Sequence, residues 1–209
     1  MSEPPVQIDA DTVTAAPKPT GHRWIDLLLA GSAILISGVS LFIAAQNANM
    51  QQRMVAATSW PFLQFRTANN GDQGKPMIAM KVVNVGQGPA LLKHVTVTYD
   101  GKPVRGAYDL MQACCGWAPK TDAELKMFKV GTAPLGGVVI QPHEEYLFYE
   151  FENTGPAADA VWRKMDQARF KLKFDACYCS VLGECWRSDL RSLEPTPVKV
   201  CPKDRGYGE

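Results

Sequence analysis

Residues 24–46 read WIDLLLAGSAILISGVSLFIAAQ, and this stretch decides how the rest of the chain is read. From Leu27 to Ala45 it carries no formal charge, about 19 residues. At about 1.5 Å per helical residue that is roughly 28 Å, enough to cross a hydrocarbon core of about 30 Å. A cleaved signal peptide would have a shorter apolar run, about 7–15 residues, and a basic leader. Here the run is longer and the leader carries Glu3, Asp9 and Asp11, so a retained signal anchor is expected. The chain then divides into a disordered tail (1–22), a transmembrane helix (23–46), a helical stalk (47–60) and a domain (61–209).

The tail, MSEPPVQIDADTVTAAPKPTG, has four prolines and few large apolar residues, too little to offset the entropy of ordering. Arg23 and Trp24 mark an interface, where cation and indole favour headgroup depth. Asp26 is expected to snorkel to that interface. Lys18 and Arg23 on one side balance Arg53 and Arg66 on the other, so flanking charge sets no direction. The cysteines do. All six (Cys114, Cys115, Cys177, Cys179, Cys185, Cys201) follow the span, as expected for an oxidising compartment. The expectation is a bacterial inner-membrane protein, single-pass, with a cytoplasmic N-terminus and a periplasmic domain.

Six cysteines allow about 15 connectivities. Neighbouring cysteines rarely bridge each other, so Cys114 and Cys115 are expected to bond separate partners. An odd turn over 180–184 would place Cys179 opposite Cys185, and Cys177 and Cys201 would then be partners for the Cys114–Cys115 segment. Zinc knuckles use cysteine pairs about two to four residues apart, and neither the adjacent pair nor Cys177-x-Cys179 has that spacing. No metal or cofactor is expected.

Inside the span, Ala30, Ala33, Ser37, Ser40 and Ala44 follow a 3-4-3-4 spacing that puts small side chains on one helix face. Gly31 and Gly38 lie beside it. Such a seam lets helix backbones approach, so association with a second copy or a partner span is expected. Residues 47–59, NANMQQRMVAATS, favour helix and prolong the span until Pro61 ends it.

The domain reads as short strands between turns. Candidates are 62–68, 77–85, 91–104, 125–131, 137–140, 145–153, 170–179 and 185–190. Val95, Val97 and Tyr99 alternate ahead of Asp100-Gly101, a hairpin turn signal. In 145–153, Leu147, Tyr149 and Phe151 share one face. In 170–179, Phe170, Leu172 and Phe174 point inward. AYDLMQACCGW (107–117) is a helical turn stopping at Gly116. A second helix spans 156–168, capped by Thr154, with Ala158, Val161, Trp162 and Met165 as its apolar stripe. The tail end, EPTPVKVCPKDRGYGE, is loop-like. Strands without regular strand–helix alternation indicate a mainly β chain: one N-terminal transmembrane helix, then an antiparallel β-sandwich-like domain with one or two short helices.

A net charge of +1 and a pI near 7.6 give no field for nucleic acid. Gly86 and Gly88 suggest a phosphate loop. However, Leu91 stands where the fingerprint's third glycine belongs, and Pro89 lacks an N–H, so a turn with Asn84 bonded to local backbone is expected. His143-Glu144 opens a zinc-protease pattern, but Leu147 occupies the second histidine position. Glu144 and Glu145 face opposite ways on a strand. An enzyme would have to assemble its site from scattered residues such as His94, His143, Glu145 and Asp175.

NVGQGPA (84–90), with SWPFLQF (59–65) and YCSVLGECW (178–186), resembles a class of bacterial single-pass membrane proteins of unassigned chemistry. These carry an extracytoplasmic β-domain with Asn-x-Gly-x-Gly-Pro-Ala. The resemblance implies an anchored sandwich-like module and brings no activity. The expected function is a non-enzymatic protein-binding or assembly module fixed in the bilayer, with a protein partner or a homo-oligomer formed through the helix. A catalytic or ligand-sensing role is the alternative.

Overall fold

The computed structural model describes residues 23–71, 74–118, 121, 124, 128–203 and 206–208. The expected tail (1–22) and the start of the strand expected at 125–131 lie outside them. The chain divides into two units, Met1–Gln51 and Gln52–Glu209.

Helix α1 runs unbroken from Arg23 to Thr58, 36 residues. It is long and apolar enough to cross a membrane. None of its residues is buried, so its apolar side chains are exposed along its length. The seam residues Ala30, Ala33, Ser37, Ser40 and Ala44 are all exposed. The Ser37 hydroxyl already donates to Ala33 O, 2.7 Å away. Any contact through the seam therefore rests mainly on close packing of small groups, with the Ser37 hydroxyl keeping only its acceptor capacity for a bond across it.

Among the described residues ten strands follow: β1 (Leu63–Asn70), β2 (Pro76–Asn84), β3 (Ala90–Tyr99), β4 (Lys102–Val104), β5 (Lys129–Thr132), β6 (Val138–Ile140), β7 (Glu145–Glu152), β8 (Lys173–Cys179), β9 (Cys185–Ser188) and β10 (Thr196–Val198). One sheet has the order β1-β2-β7-β5. The other has β10-β9-β8-β3-β4, with β6 also on β3. β8 takes one edge of β3, while β6 pairs its start at Ala90–Leu92 and β4 its end at Val97–Tyr99. Every pairing is antiparallel.

The core lies between the sheets. Phe65 of β1 packs on Phe174 of β8 (ring centroids 4.4 Å) and on Phe148 of β7 (6.3 Å). Leu92, Val95 and Val97 from β3 face Ile78, Met80 and Val82 from β2 in the same buried cluster. The expected β-sandwich-like architecture is the observed one. Among the described residues two short helices join it: α2 (Ala107–Cys115) and α3 (Pro156–Ala168). Gly116 ends α2 in the left-handed region (φ 70°), where glycine meets no Cβ penalty. Asp100 (φ 47°) and Gly101 (φ 78°) take the positive angles that a tight β3–β4 hairpin requires.

Four expectations need correction. The β7 register slips between Met80 and Lys81 of its partner, leaving Phe148 as an extra residue. Alternation therefore changes face there: Phe148 and Tyr149 are both buried, and Leu147 is exposed, not paired with Tyr149 and Phe151. Phe170 lies in a turn before β8 and is 60% exposed, with the Arg169 guanidinium 4.2 Å from its ring centre. Thr154 does not cap α3; Gly155 holds that position without a side-chain bond, and Asn153 accepts from Gly155 N (3.1 Å). The proline-rich end is not all loop, since Thr196–Val198 pairs with Cys185–Arg187 as β10. Pro197 is tolerated there because β10 is an edge strand.

Candidate functional site

Two constructions occupy the end of the domain where the chain enters from α1. The first is built on Asn84, the last residue of β2, which is fully buried. Its Oδ1 accepts from Phe62 N (3.2 Å) and Gly86 N (3.0 Å). Its Nδ2 donates to Gly88 O (2.8 Å) and Ile140 O (3.0 Å). Its own backbone N donates to Glu144 O, and its carbonyl accepts from His143 N. The side chain thus fastens the entry segment, the crossover between the sheets and the end of β6, and the backbone of the same residue holds the turn before β7. The two glycines complete the clamp by leaving out their Cβ atoms. A Cβ at Gly86 would lie 2.4 Å from Phe62 N, and one at Gly88 would lie 2.1 Å from Ser59 O. Trp60 O accepts from both Gln87 N (3.0 Å) and Gly88 N (3.2 Å). The expected turn motif Asn84, Gly86, Gly88, Pro89 is therefore a socket for residues 59–62, wider in reach than a local backbone bond.

The second construction is a groove of roughly 440 Å³ on the outer face of the β3–β8–β9–β10 sheet. Lys93, Lys199 and Lys203 line it together with Cys179, Cys185 and Cys201. Lys93 sits where the β3 register slips against β8, between Leu92 and His94. None of the three lysines pairs with a carboxylate among the described residues. Beside the groove, the β8–β9 hairpin carries Val181 (57% exposed) and Leu182 (54%) at its tip; Val139 and Val200 are also exposed.

All six cysteines are bridged: Cys114–Cys115, Cys177–Cys201 and Cys179–Cys185. The hairpin bridge Cys179–Cys185 joins residues directly opposite each other, as the odd turn requires. The expectation that Cys114 and Cys115 bond separate partners is wrong. They end α2, close to β4, which pairs the Val97–Tyr99 end of β3. Cys177 and Cys179 lie against the other end, opposite His94 and Leu91. The two groups are out of bonding reach, so Cys177 bonds Cys201 and the neighbours bond each other. The sulfurs of Cys179 and Cys201, in different bridges, are 3.9 Å apart.

Of the scattered polar residues, His94 and Asp175 share one face of the β3–β8 pair, whereas His143 and Glu145 lie elsewhere, and none of the four lines the groove. His94 is buried, its Nε2 3.0 Å from Thr96 Oγ1 and its Nδ1 without a partner among the described residues. Asp175 stands opposite Thr96 on the same face. It accepts from Arg187 Nε (2.5 Å) and also meets Arg187 Nη2, and this bonding holds its carboxyl below the ordinary range. Glu145 belongs to the other sheet, where a hydrogen bond from Lys81 (2.7 Å) lowers its pKa. His143 stands in the turn before β7 with φ 63°. Neither His143 nor Glu145 lines the groove.

The lysines and the apolar hairpin tip escaped the sequence reading. Lys93 lies on β3 and Lys199 directly follows β10, far apart in sequence, and the pairing of β3, β8, β9 and β10 brings them together. Val181-Leu182 at a turn was the one local signal, since turns ordinarily carry polar residues. No protein-family model, curated protein or solved structure matches this chain.

Proposed function

We propose that the chain is a non-enzymatic binding or assembly module, held in a bacterial inner membrane by α1, with its N-terminus cytoplasmic and its β-domain in the periplasm. The disulfides fit an oxidising compartment. The observation that carries the binding role is the surface around the groove. Val139, Val181, Leu182 and Val200 are exposed around a groove whose three lysines pair with no carboxylate among the described residues. An apolar patch with a charged margin is the usual form of a protein contact. The partner is a protein with an acidic rim, complementary to Lys93, Lys199 and Lys203. Anchoring raises the effective concentration of the domain towards other membrane components. The small-residue seam of α1 adds lateral association, with a second copy or with the partner's span.

The test is crosslinking in intact membranes from a photoreactive residue at Leu182, followed by identification of the products. A discrete heteromeric product, lost on charge reversal at Lys93 and Lys199, is expected. Recovery of the protein alone as a monomer removes the partner.

A further inference from the structure

We infer that the paired bridges Cys177–Cys201 and Cys179–Cys185 form a thiol–disulfide relay that accepts electrons from a dithiol. The reading rests on sulfur geometry and stands independently of any protein partner. Two disulfides ordinarily act as separate staples. Here Cys179 Sγ lies 3.9 Å from Cys201 Sγ, close to van der Waals contact. The sulfurs of Cys179, Cys185 and Cys201 all fall within 4.8 Å of one another. Cys177 and Cys179 are two apart on one strand, so both project from the same sheet face.

Access and charge are also in place. Cys177 and Cys179 are buried, whereas Cys185 and Cys201 are part-exposed and line the groove. Lys93, Lys199 and Lys203 line the same groove, and positive charge favours the thiolate, the form that attacks and leaves. The Cys114–Cys115 bridge, at the end of α2, lies outside this cluster.

The steps balance. One thiolate of the dithiol attacks Cys185 Sγ; the Cys179–Cys185 bond breaks and Cys179 leaves as thiolate. Cys179 then attacks Cys201 Sγ, forming Cys179–Cys201 and releasing Cys177 as thiolate. The second thiol of the donor resolves the mixed disulfide at Cys185. The donor is oxidised to its disulfide, and the protein gains two thiols, Cys177 and Cys185, with one bridge between Cys179 and Cys201. Electrons entering at an exposed sulfur have thus reached a buried one.

The experiment is limited reduction of the full-length protein in detergent with dithiothreitol, an acid quench, alkylation and peptide mapping. Molecules that have gained two thiols within 177–201 are scored, whatever the state of Cys114–Cys115. The expected result is alkylation of Cys177 and Cys185 with a Cys179–Cys201 crosslink, above the level in urea-unfolded protein. Two-thiol molecules holding only Cys177–Cys201 or Cys179–Cys185 overturn the relay. The Cys185→Ser variant gives a second reading without reductant: a Cys179–Cys201 crosslink with Cys177 alkylated is expected, and an exclusive Cys177–Cys201 bond contradicts the proposal.

Discussion

Gly88 and Ser59 are in backbone contact, so close that a Cβ on Gly88 would stand 2.1 Å from Ser59 O. That contact seats the entry segment, which follows α1, in the crossover between the two sheets. Gly88→Ala must push the entry segment out, and overpacking of this kind costs about 1–3 kcal/mol. A lower urea midpoint for the full-length protein in detergent is expected. Gly31→Ala, where a Cβ meets nothing within 4 Å, is the matched control and should be silent.

Asn84→Ala should be the more damaging change. It leaves Phe62 N, Gly86 N, Gly88 O and Ile140 O without their side-chain partner in a buried site. Each orphaned group costs about 1–3 kcal/mol, not additively, so a loss of about 3–5 kcal/mol is expected. Asn84→Asp keeps both acceptor bonds and loses both donor bonds, and should recover less than half of that loss.

The bridges should differ in weight. Cys177–Cys201 spans a sequence separation of 24, and Cys179–Cys185 spans 6. Loop-closure entropy gives about 3.5 against about 2.4 kcal/mol. Paired Cys→Ala replacement of the longer bridge should therefore lower stability by about 1 kcal/mol more, measured by urea unfolding.

Alkali should unfold the domain through its tyrosines. Burial pushes Tyr178 up to about 12 from 10.0, and raises Tyr149 and Tyr207 as well. An acid whose folded pKa is raised contributes its stability in full below the unfolded value and loses it as pH rises through the folded one. Stability should thus be flat up to about pH 10 and fall between about 10 and 12. Tyr178→Phe should make that fall shallower.

Ser37→Leu puts a large side chain on the small-residue face of α1. Membrane insertion should be unchanged and helix crosslinking weakened. Unchanged crosslinking would reduce α1 to a plain anchor.

Much of the fold was legible because it rests on local rules. Uncharged length marked α1, alternation marked β3, and Asp100-Gly101 marked the turn after it. The misses occur where a distant contact overrides the local rule. Alternation across β7 fails at Phe148 because β2 imposes a bulge. Phe170 faces outward because the Arg169 side chain, bonded to Thr67 (3.0 Å), offers its guanidinium as a platform. β10 exists only because β9 has an open edge beside it. Cys114–Cys115 follows from the far placement of the other four sulfurs, which spacing does not encode. For Asn84, the neighbouring Gly86 bond was readable; Phe62 and Ile140, 22 and 56 residues away, were not.

The proposed placement of the domain outside the cytoplasm underlies both the partner surface and the relay. Its most direct test is the thiol state in living cells, trapped with acid and probed with a polymer-linked maleimide. The account predicts no added polymer before reduction, or two additions in molecules whose relay has taken up electrons, and six additions after it, matching three bridges and no free cysteine in the oxidised protein. Six additions without reduction would place the domain in a reducing compartment and contradict the account.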